Sequence, residues 1–428
     1  MINNIKVRLQ DKDKRRVLEN FLSLSILQGI NCILPLITLP YLVRVIGPGH
    51  FGLIAFAQAF IQYFNILTDY GFNLSATRAI STHRDDKIKI SEIFSSVMVI
   101  KCGLLLISLI LLTIIVFSFK KFHQDWEIYY LTFGIVVGQV LFPVWFFEGI
   151  ERMKYITFLN VISKLIFTIS IFIFIHKASD YLYVPVLNSF GSLVAGILAI
   201  YIVVKNFKII FKFPQIEQLK HQLKEGWCIF ISTVAVAAYK SSSIFILGLF
   251  ASNEIVGYFS VAKKLIDVVN SMASIISRAI YPYTVKNMIH YLKKSLKFLK
   301  LIGIFITIYT SILAIVFIFF ANKITILLTG NMYYATAHSI ELLAFVPFLI
   351  GINVPAVHIL LANKLDNIFS KIVISGSIID IILNFILVPN LSYIGSCIAV
   401  IVTESYVSIM LYIFAFKYLR RSHEKHIR

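Results

Sequence analysis

Apolar residues recur along this chain in runs of about twenty separated by polar turns, and a hydrocarbon core of ~30 Å asks for helices of that length. The runs cover 21–46, 51–76, 93–118, 128–149, 156–175 and 182–204, and then 227–250, 255–282, 301–320, 339–361, 372–388 and 394–416. An all-α integral membrane protein with twelve transmembrane helices is predicted. Pro35 and Pro40 should kink or break the first run, because proline removes a helical donor and crowds the preceding turn. Composition agrees: 58% of the 428 residues are hydrophobic and 14% charged, unlike a soluble domain.

Polar residues inside the runs keep helical spacing. Ser260, Lys264, Asp267, Ser271, Ser274 and Arg278 follow at three- and four-residue steps in the eighth run, and Gln58, Gln62, Asn65, Asp69 and Asn73 do so in the second. The first run adds Gln28, Asn31, Pro35 and Thr38, and the seventh adds Thr233 and Lys240. Such steps place one wet strip on one helix face, so these four helices are expected to line a central cavity. Arg44, Lys101, Lys164, Lys240, Lys263, Lys264 and Arg278 all stand at bilayer depth, where a charge costs at least ~2.5 kcal/mol unless it faces water or a partner. An anionic cargo is the natural complement. The competing reading is that polar strips join helices to each other by hydrogen bonds. Asp267 either neutralises Lys263 or Lys264 or takes part in transport, and Asp69, Asp380 and Glu404 carry the same ambiguity. A mid-membrane carboxylate holds a coupling proton or sodium ion, or balances a lysine.

The halves of the chain echo each other. Gly52-Leu53-Ile54-Ala55-Phe56-Ala57 opens the second run and Gly257-Tyr258-Phe259-Ser260-Val261-Ala262 the eighth, an offset of 205. Arg78-Ala79-Ile80 and Arg278-Ala279-Ile280 lie 200 apart, and Pro143 and Pro347 lie 204 apart. Two pseudo-symmetric six-helix bundles, 21–204 and 227–416, are expected around the cavity, joined by a cytoplasmic linker 205–226. A basic N-terminus, 1–20, and a basic tail, 417–428, flank them.

The net charge of +19 is distributed unevenly. Odd-numbered loops hold only Lys120, Lys121, Lys177 and Lys323, while the termini and even loops carry most of the remainder, so both termini are expected in the cytoplasm. Topology and contact with anionic membrane lipids account for the charge, and nucleic acid is not an expected partner. No removable signal peptide is expected, because the basic start precedes a full-length apolar run. Cys32, Cys102, Cys228 and Cys397 lack CxxC spacing and read as small apolar residues. The ten histidines form no HxxxH or HExxH pattern, and no GxSxG or Walker loop occurs, so neither a metal nor another cofactor is expected beyond the coupling ion. Trp126, Tyr129, Tyr130, Trp145, Tyr181, Tyr183, Tyr333 and Tyr334 fall at run ends and read as interfacial belts.

Leu39-Pro40-Tyr41-Leu42-Val43-Arg44-Val45-Ile46-Gly47, Phe51-Gly52-Leu53-Ile54-Ala55-Phe56-Ala57 and Asp69-Tyr70-Gly71-Phe72-Asn73-Leu74-Ser75-Ala76-Thr77-Arg78 resemble the start of the Wzx-type O-antigen and polysaccharide flippases. Glu148-Gly149-Ile150-Glu151-Arg152-Met153-Lys154-Tyr155 is similar to that family's loop after the fourth span. The superfamily also contains the MATE antiporters and the lipid II flippase. The resemblance implies transfer of an undecaprenyl-pyrophosphate-linked glycan across a bacterial inner membrane by alternating access, alongside other polysaccharide-assembly proteins. Rival expectations are a MATE-like exporter, which would need a net negative cavity, and a polymerase or ligase, which would need a large outer loop.

Overall fold

In the computed structural model the backbone is described for residues 2–290 and 292–427. Side chains are described except at 1–18, 20–22, 24–25, 235–240, 278–279, 282–283, 286–287, 289–294 and 421–428. Among the described residues every regular element is helical. The order is α1 (Ile2–Asp69), α2 (Phe72–Thr82), α3 (Lys87–Ser118), α4 (Lys120–His123), α5 (Trp126–Leu141), α6 (Val144–Gly149), α7 (Met153–Phe174), α8 (Tyr183–Phe207), α9 (Ile216–Phe250) and α10 (Asn253–His290). It continues with α11 (Leu292–Thr329), α12 (Tyr334–Leu343), α13 (Phe345–Ala362), α14 (Asp366–Leu391) and α15 (Tyr393–Ile427), and a short 3-10 turn precedes α8. A helix closes its own backbone hydrogen bonds, which is why apolar runs of this length fold this way.

Nine stretches among the described residues are long and apolar enough to cross a bilayer, and the first, Ile26–Thr82, combines the first two predicted runs. This is a multi-pass membrane protein. On α3, Leu106, Ile110, Ile114 and Phe117 are exposed at helical spacing while Ser108, Leu112 and Val116 are buried. One apolar face turned outward and another face, with Ser108 on it, packed inward is the pattern of a helix between lipid and protein.

Breaks in the helices lie where hydropathy alone does not place them. The chain stays helical through Pro35 and Pro40, contrary to expectation, and the interruption inside α1 is at Gly47, with φ 79° and ψ 161°. In lipid a proline is tolerated inside a helix, whereas this backbone conformation belongs to glycine. The second run is not one helix either. Tyr70 (φ 46°) and Gly71 (φ 76°) separate α1 from α2. A Cβ on Gly71 would lie 2.7 Å from Ile229 Cγ2, and one on Gly226 would lie 2.9 Å from the Tyr70 carbonyl oxygen, so the break is seated on α9 at Gly226 to Phe230. Tyr70 stacks on Phe230 at 4.8 Å between ring centroids.

The molecule divides into two compact units. One comprises Met1–Thr38 and Phe60–Val234, the other Leu39–Ala59 and Ala235–Arg428. Their borders differ from the repeat borders read in the sequence: 39–59 groups with the second half, and the start of α9 with the first.

In the first unit, α2, α3, α6, α7 and α8 share a core around Phe72, Phe94, Trp145, Phe146 and Phe147. Trp145 is fully buried, 5.6 Å from the Phe94 ring, and Tyr129 is buried against Phe60 and Phe122. These two rings therefore fill protein interior and do not stand in the belt, whereas Trp126, Tyr183 and Tyr334 are exposed as expected. Helices α5 and α8 pack along small residues. A Cβ on Gly138 would meet the Ser192 carbonyl carbon at 2.5 Å, and one on Gly196 the Gly138 oxygen at 2.7 Å. Close backbone approach replaces the hydrophobic drive that lipid removes. Gly138→Ile should therefore destabilise the unit by roughly 1–3 kcal/mol through overpacking. Thermal unfolding in detergent should show a lowered midpoint for it and not for Gly103→Ile, whose site has nothing within 4 Å.

In the second unit, Leu360, Ile372, Leu411 and Ala415 anchor a core shared by α13, α14 and α15. Helix α14 runs antiparallel to α15: Gly376 approaches Thr403 and Val407, and Gly395 approaches Leu387 and Val388. That register sets Asp380 and Thr403 at nearly the same depth.

Candidate substrate and ion sites

The first unit collects a polar chain around the helix break. Lys101, 3% exposed, places Nζ 3.8 Å from Asp69 Oδ1. Asn73 Nδ2 donates to Asp69 Oδ2 at 3.0 Å. Thr77 Oγ1, one turn on, donates to the Asn73 carbonyl at 2.7 Å and the Trp145 carbonyl at 3.2 Å, and lies 3.4 Å from Glu148 Oε2. The left-handed turn at Tyr70–Gly71 lets α1 end at Asp69 and α2 restart with Asn73 facing it. Beyond Glu148, Arg84 pairs with Glu151 at 2.9 Å and donates to the Gly149 carbonyl at 3.2 Å.

Other predicted groups of this unit lie apart from that chain. Lys164 on α7 is half-buried and has no hydrogen bond or ion pair among the described residues. Asn31 and Asn65 are half-buried, each with a buried side-chain oxygen that has no hydrogen-bond partner among the described residues, and Asn65 Nδ2 reaches Gln62 Oε1 at 3.4 Å. A cavity of ≈ 440 Å³ lies between Ala79 and His83, Lys89 to Ser96, and Glu217 to Gln222. Its one lysine, Lys89, is bound to Glu92 at 3.1 Å, so it does not supply a free cation for an anion.

The second unit holds a buried carboxylate. Asp380 is fully buried and accepts a hydrogen bond from Ser242 on α9. Asn384 Nδ2 donates to the Asp380 carbonyl at 2.8 Å. The remaining oxygens, Asp380 Oδ1 and Asn384 Oδ1, are buried and have no hydrogen-bond partner among the described residues, and the same holds for the hydroxyls of Ser243, Ser396 and Thr403. Lys263 interacts electrostatically with both Asp380 and Cys397. Oxygens from neighbouring helix turns, one of them charged, suit a small hard cation or a proton. Among the described residues no group of three or more His, Cys, Asp or Glu is placed to hold a metal ion through those side chains.

The remaining groups of this unit are spread along α1, α10 and α15. Lys264 Nζ stands 5.1 Å above the Phe51 ring and interacts electrostatically with exposed Asp267. Ser274 donates to the Ser271 carbonyl at 2.7 Å. Gln58 is half-buried and Glu404 buried. Arg44 Nη2 donates to the Leu327 carbonyl in the last turn of α11, where a guanidinium satisfies an end-of-helix acceptor. The side chains of Lys240 and Arg278 lie outside the described residues.

Three features were not singled out in the sequence. Ser242 is the Asp380 donor, although the triplet Ser241-Ser242-Ser243 in an apolar run signals such a role. Thr77 joins Asn73 to Glu148, and Tyr70 turns the chain between them.

Residues 17–288 match the family described as polysaccharide biosynthesis protein. A putative O-antigen transporter of Escherichia coli K12 is 31% identical over 411 residues, covering 94% of this chain and 97% of that protein. An inward-facing multidrug resistance MATE family transporter of the MOP superfamily superposes with TM-score 0.67 at 13% identity, over 94% of this chain and 99% of that one. The lipid II flippase MurJ superposes with TM-score 0.67 at 15% identity, over 92% and 87%. The chain belongs to the polysaccharide biosynthesis protein family, with the fold of the MATE and MurJ transporters of the MOP superfamily.

Proposed function

We propose that the protein is a flippase that carries an undecaprenyl-pyrophosphate-linked oligosaccharide, an O-antigen or similar repeat unit, from the cytoplasmic to the outer leaflet of the inner membrane. Twelve spans with both termini in the cytoplasm would do this by alternating access, with two pseudo-equivalent bundles as the moving parts. The observation that carries the reading is Lys164 on α7, a cation on a spanning helix with no ion pair within 4.0 Å among the described residues; in the other unit Lys263 and Lys264 on α10 also lack such a pair, and interact electrostatically with Asp380 and Asp267, respectively. A lysine without a bound acid is a mobile point charge suited to a diphosphate. The amides of Gln58, Gln62, Asn31 and Asn65 suit glycan hydroxyls, and the prenyl chain stays in lipid. Arg44 is engaged by Leu327 and Lys101 by Asp69, and the reading gives the first contact with the diphosphate to the other cations.

Outward movement of a diphosphate is favoured by ~2.3 kcal/mol per charge at 100 mV, inside negative. Resetting the empty carrier then falls to a coupling proton or sodium ion at Asp380. The putative O-antigen transporter of Escherichia coli K12 supports the cargo class, and MurJ supports a lipid-linked substrate.

A strain lacking the gene should accumulate lipid-linked repeat units on the cytoplasmic leaflet. Wild-type protein should restore surface polysaccharide, and Lys164→Ala and Lys264→Ala should each restore roughly tenfold less at equal membrane level, the scale of one lost charged contact. Full surface polysaccharide in the deletion strain would refute the flippase reading. Full restoration by both variants would refute the cationic site alone.

A further inference from the structure

The chain that leaves α8 is strapped to another helix of the first unit. Lys208, in the left-handed conformation (φ 55°), ends α8 and turns the backbone, and Ile209 enters the core of that unit. From there the chain lies along α3: the Ile210 N–H donates to Ser91 Oγ at 3.3 Å and the Lys212 N–H to Ser95 Oγ at 2.9 Å. Both serines are buried. Irregular backbone is tolerated at membrane depth only where its polar groups are satisfied. Ser91 and Ser95 satisfy two donors of this strap, and Pro214 has none to satisfy.

The two helices set its depth. One spanning stretch ends at Phe207 in α8 and another begins at Lys87 in α3. Residues 208–216 join the end of the first and are bonded to the opening turns of the second, which places them at the bilayer surface. Ser95 stands one turn, about 6 Å, further along α3 than Ser91, so the strap dips toward the hydrocarbon between Ile210 and Lys212. With basic loops inside, this is the cytoplasmic leaflet.

Its side chains combine apolar bulk with positive charge. Ile210, Phe211, Phe213 and Ile216 are exposed, Phe213 at 91%, and the Phe211 and Phe213 rings meet edge to face at 5.5 Å. Large apolar groups clustered on the outside mark a surface that something covers. Lys208 and Lys212 are exposed and have no ion pair among the described residues, whereas Lys205 is held by the Tyr201 hydroxyl at 2.6 Å. Aromatic rings interleaved with free lysines suit the boundary between acyl chains and anionic headgroups.

We propose that residues 208–216 are a lipid anchor: Phe211, Phe213 and Ile216 insert shallowly into the cytoplasmic leaflet, and Lys208 and Lys212 bind the phosphates of its anionic phospholipids. The two serines of α3 hold the strap at that depth. The anchor depends on α3 and α8 crossing the membrane and is independent of the cargo.

The test uses the full chain, its native cysteines replaced by alanine, in vesicles of phosphatidylcholine with or without phosphatidylglycerol. A bimane fluorophore on Phe213→Cys should be quenched by a lipid nitroxide at a shallow acyl position and shielded from aqueous iodide. The same fluorophore on Asp85→Cys, in the exposed turn before α3, should show the reverse. Phosphatidylglycerol should slow maleimide labelling of Phe213→Cys by roughly fivefold for each lysine at the surface, and Lys208→Gln with Lys212→Gln should abolish that slowing. If Phe213→Cys does not accumulate, Ile216→Cys takes its place. Iodide quenching equal to that at Asp85→Cys would put the strap in water, and shielding from both quenchers would put it under protein; either result overturns the anchor. Labelling rates indifferent to phosphatidylglycerol would overturn the role of the lysines.

Discussion

Replacing Lys101 by methionine should destabilise the protein by about 3 kcal/mol or somewhat more, the cost of leaving one member of a buried ion pair alone. Lys101 is nearly inaccessible, while the Asp69 side chain keeps 22% of its surface, so the effect belongs at the lower end of the range for fully buried pairs. Asp69→Asn should cost a similar amount, because it leaves the ammonium buried. The double variant Lys101→Met with Asp69→Asn should recover most of the loss, since it removes both charges together and keeps an amide for Asn73 to bond. The measurement is a double-mutant cycle on unfolding in detergent. Additive effects would mean that the two groups do not act as a pair. Recovery of stability without recovery of export would assign the pair a second role in transport.

The largest effect on activity is expected at Asp380. Asp380→Asn keeps the size of the side chain and removes the charge beside Ser242, Asn384 and Lys263. A coupling free energy of 1–3 kcal/mol corresponds to about 5–150-fold, so stimulation by an imposed ion gradient should shrink by that factor. Transport into inverted vesicles under a sodium or a proton gradient distinguishes the two ions. Asp380→Asn with an intact response to both gradients would remove Asp380 from the coupling step. Glu404 provides the comparison: it is buried on the neighbouring α15, and Glu404→Gln should retain the gradient response if Asp380 alone carries the ion.

Where sequence reasoning succeeded and failed follows from what periodicity measures. Apolar run length locates helices because backbone satisfaction in lipid leaves few other structures. It does not locate the breaks at Gly47 and Tyr70–Gly71, since those depend on backbone torsion and on which helix turn lies opposite. Helical steps of three and four put Asp69 and Asn73 on one face, and they do bond. The partner Lys101 is on another helix, and no spacing rule connects the two. Ser242 is not marked out from its neighbours in Ser241-Ser242-Ser243 because one residue is a rotation of about 100° around the helix, which decides the facing neighbour and leaves hydropathy unchanged. Arg44 and Trp145 show the same limit: composition marks them as membrane-depth cation and interface aromatic, while a helix end at Leu327 and a full ring cluster around Phe94 take them up.

Gly52 lies against the main chain at Asn253 and Gly257 against the main chain at Pro48, a reciprocal crossing with a genetic consequence. At Gly52 and Gly257 the obstacle to any added methyl is a main-chain oxygen, which every amino acid at Asn253 or Pro48 would still present. A revertant of Gly52→Ala therefore cannot arise by trimming the facing side chain. Suppressors should instead fall in the turns at 47–50 and 251–252, where an inserted or deleted residue changes where the helices begin.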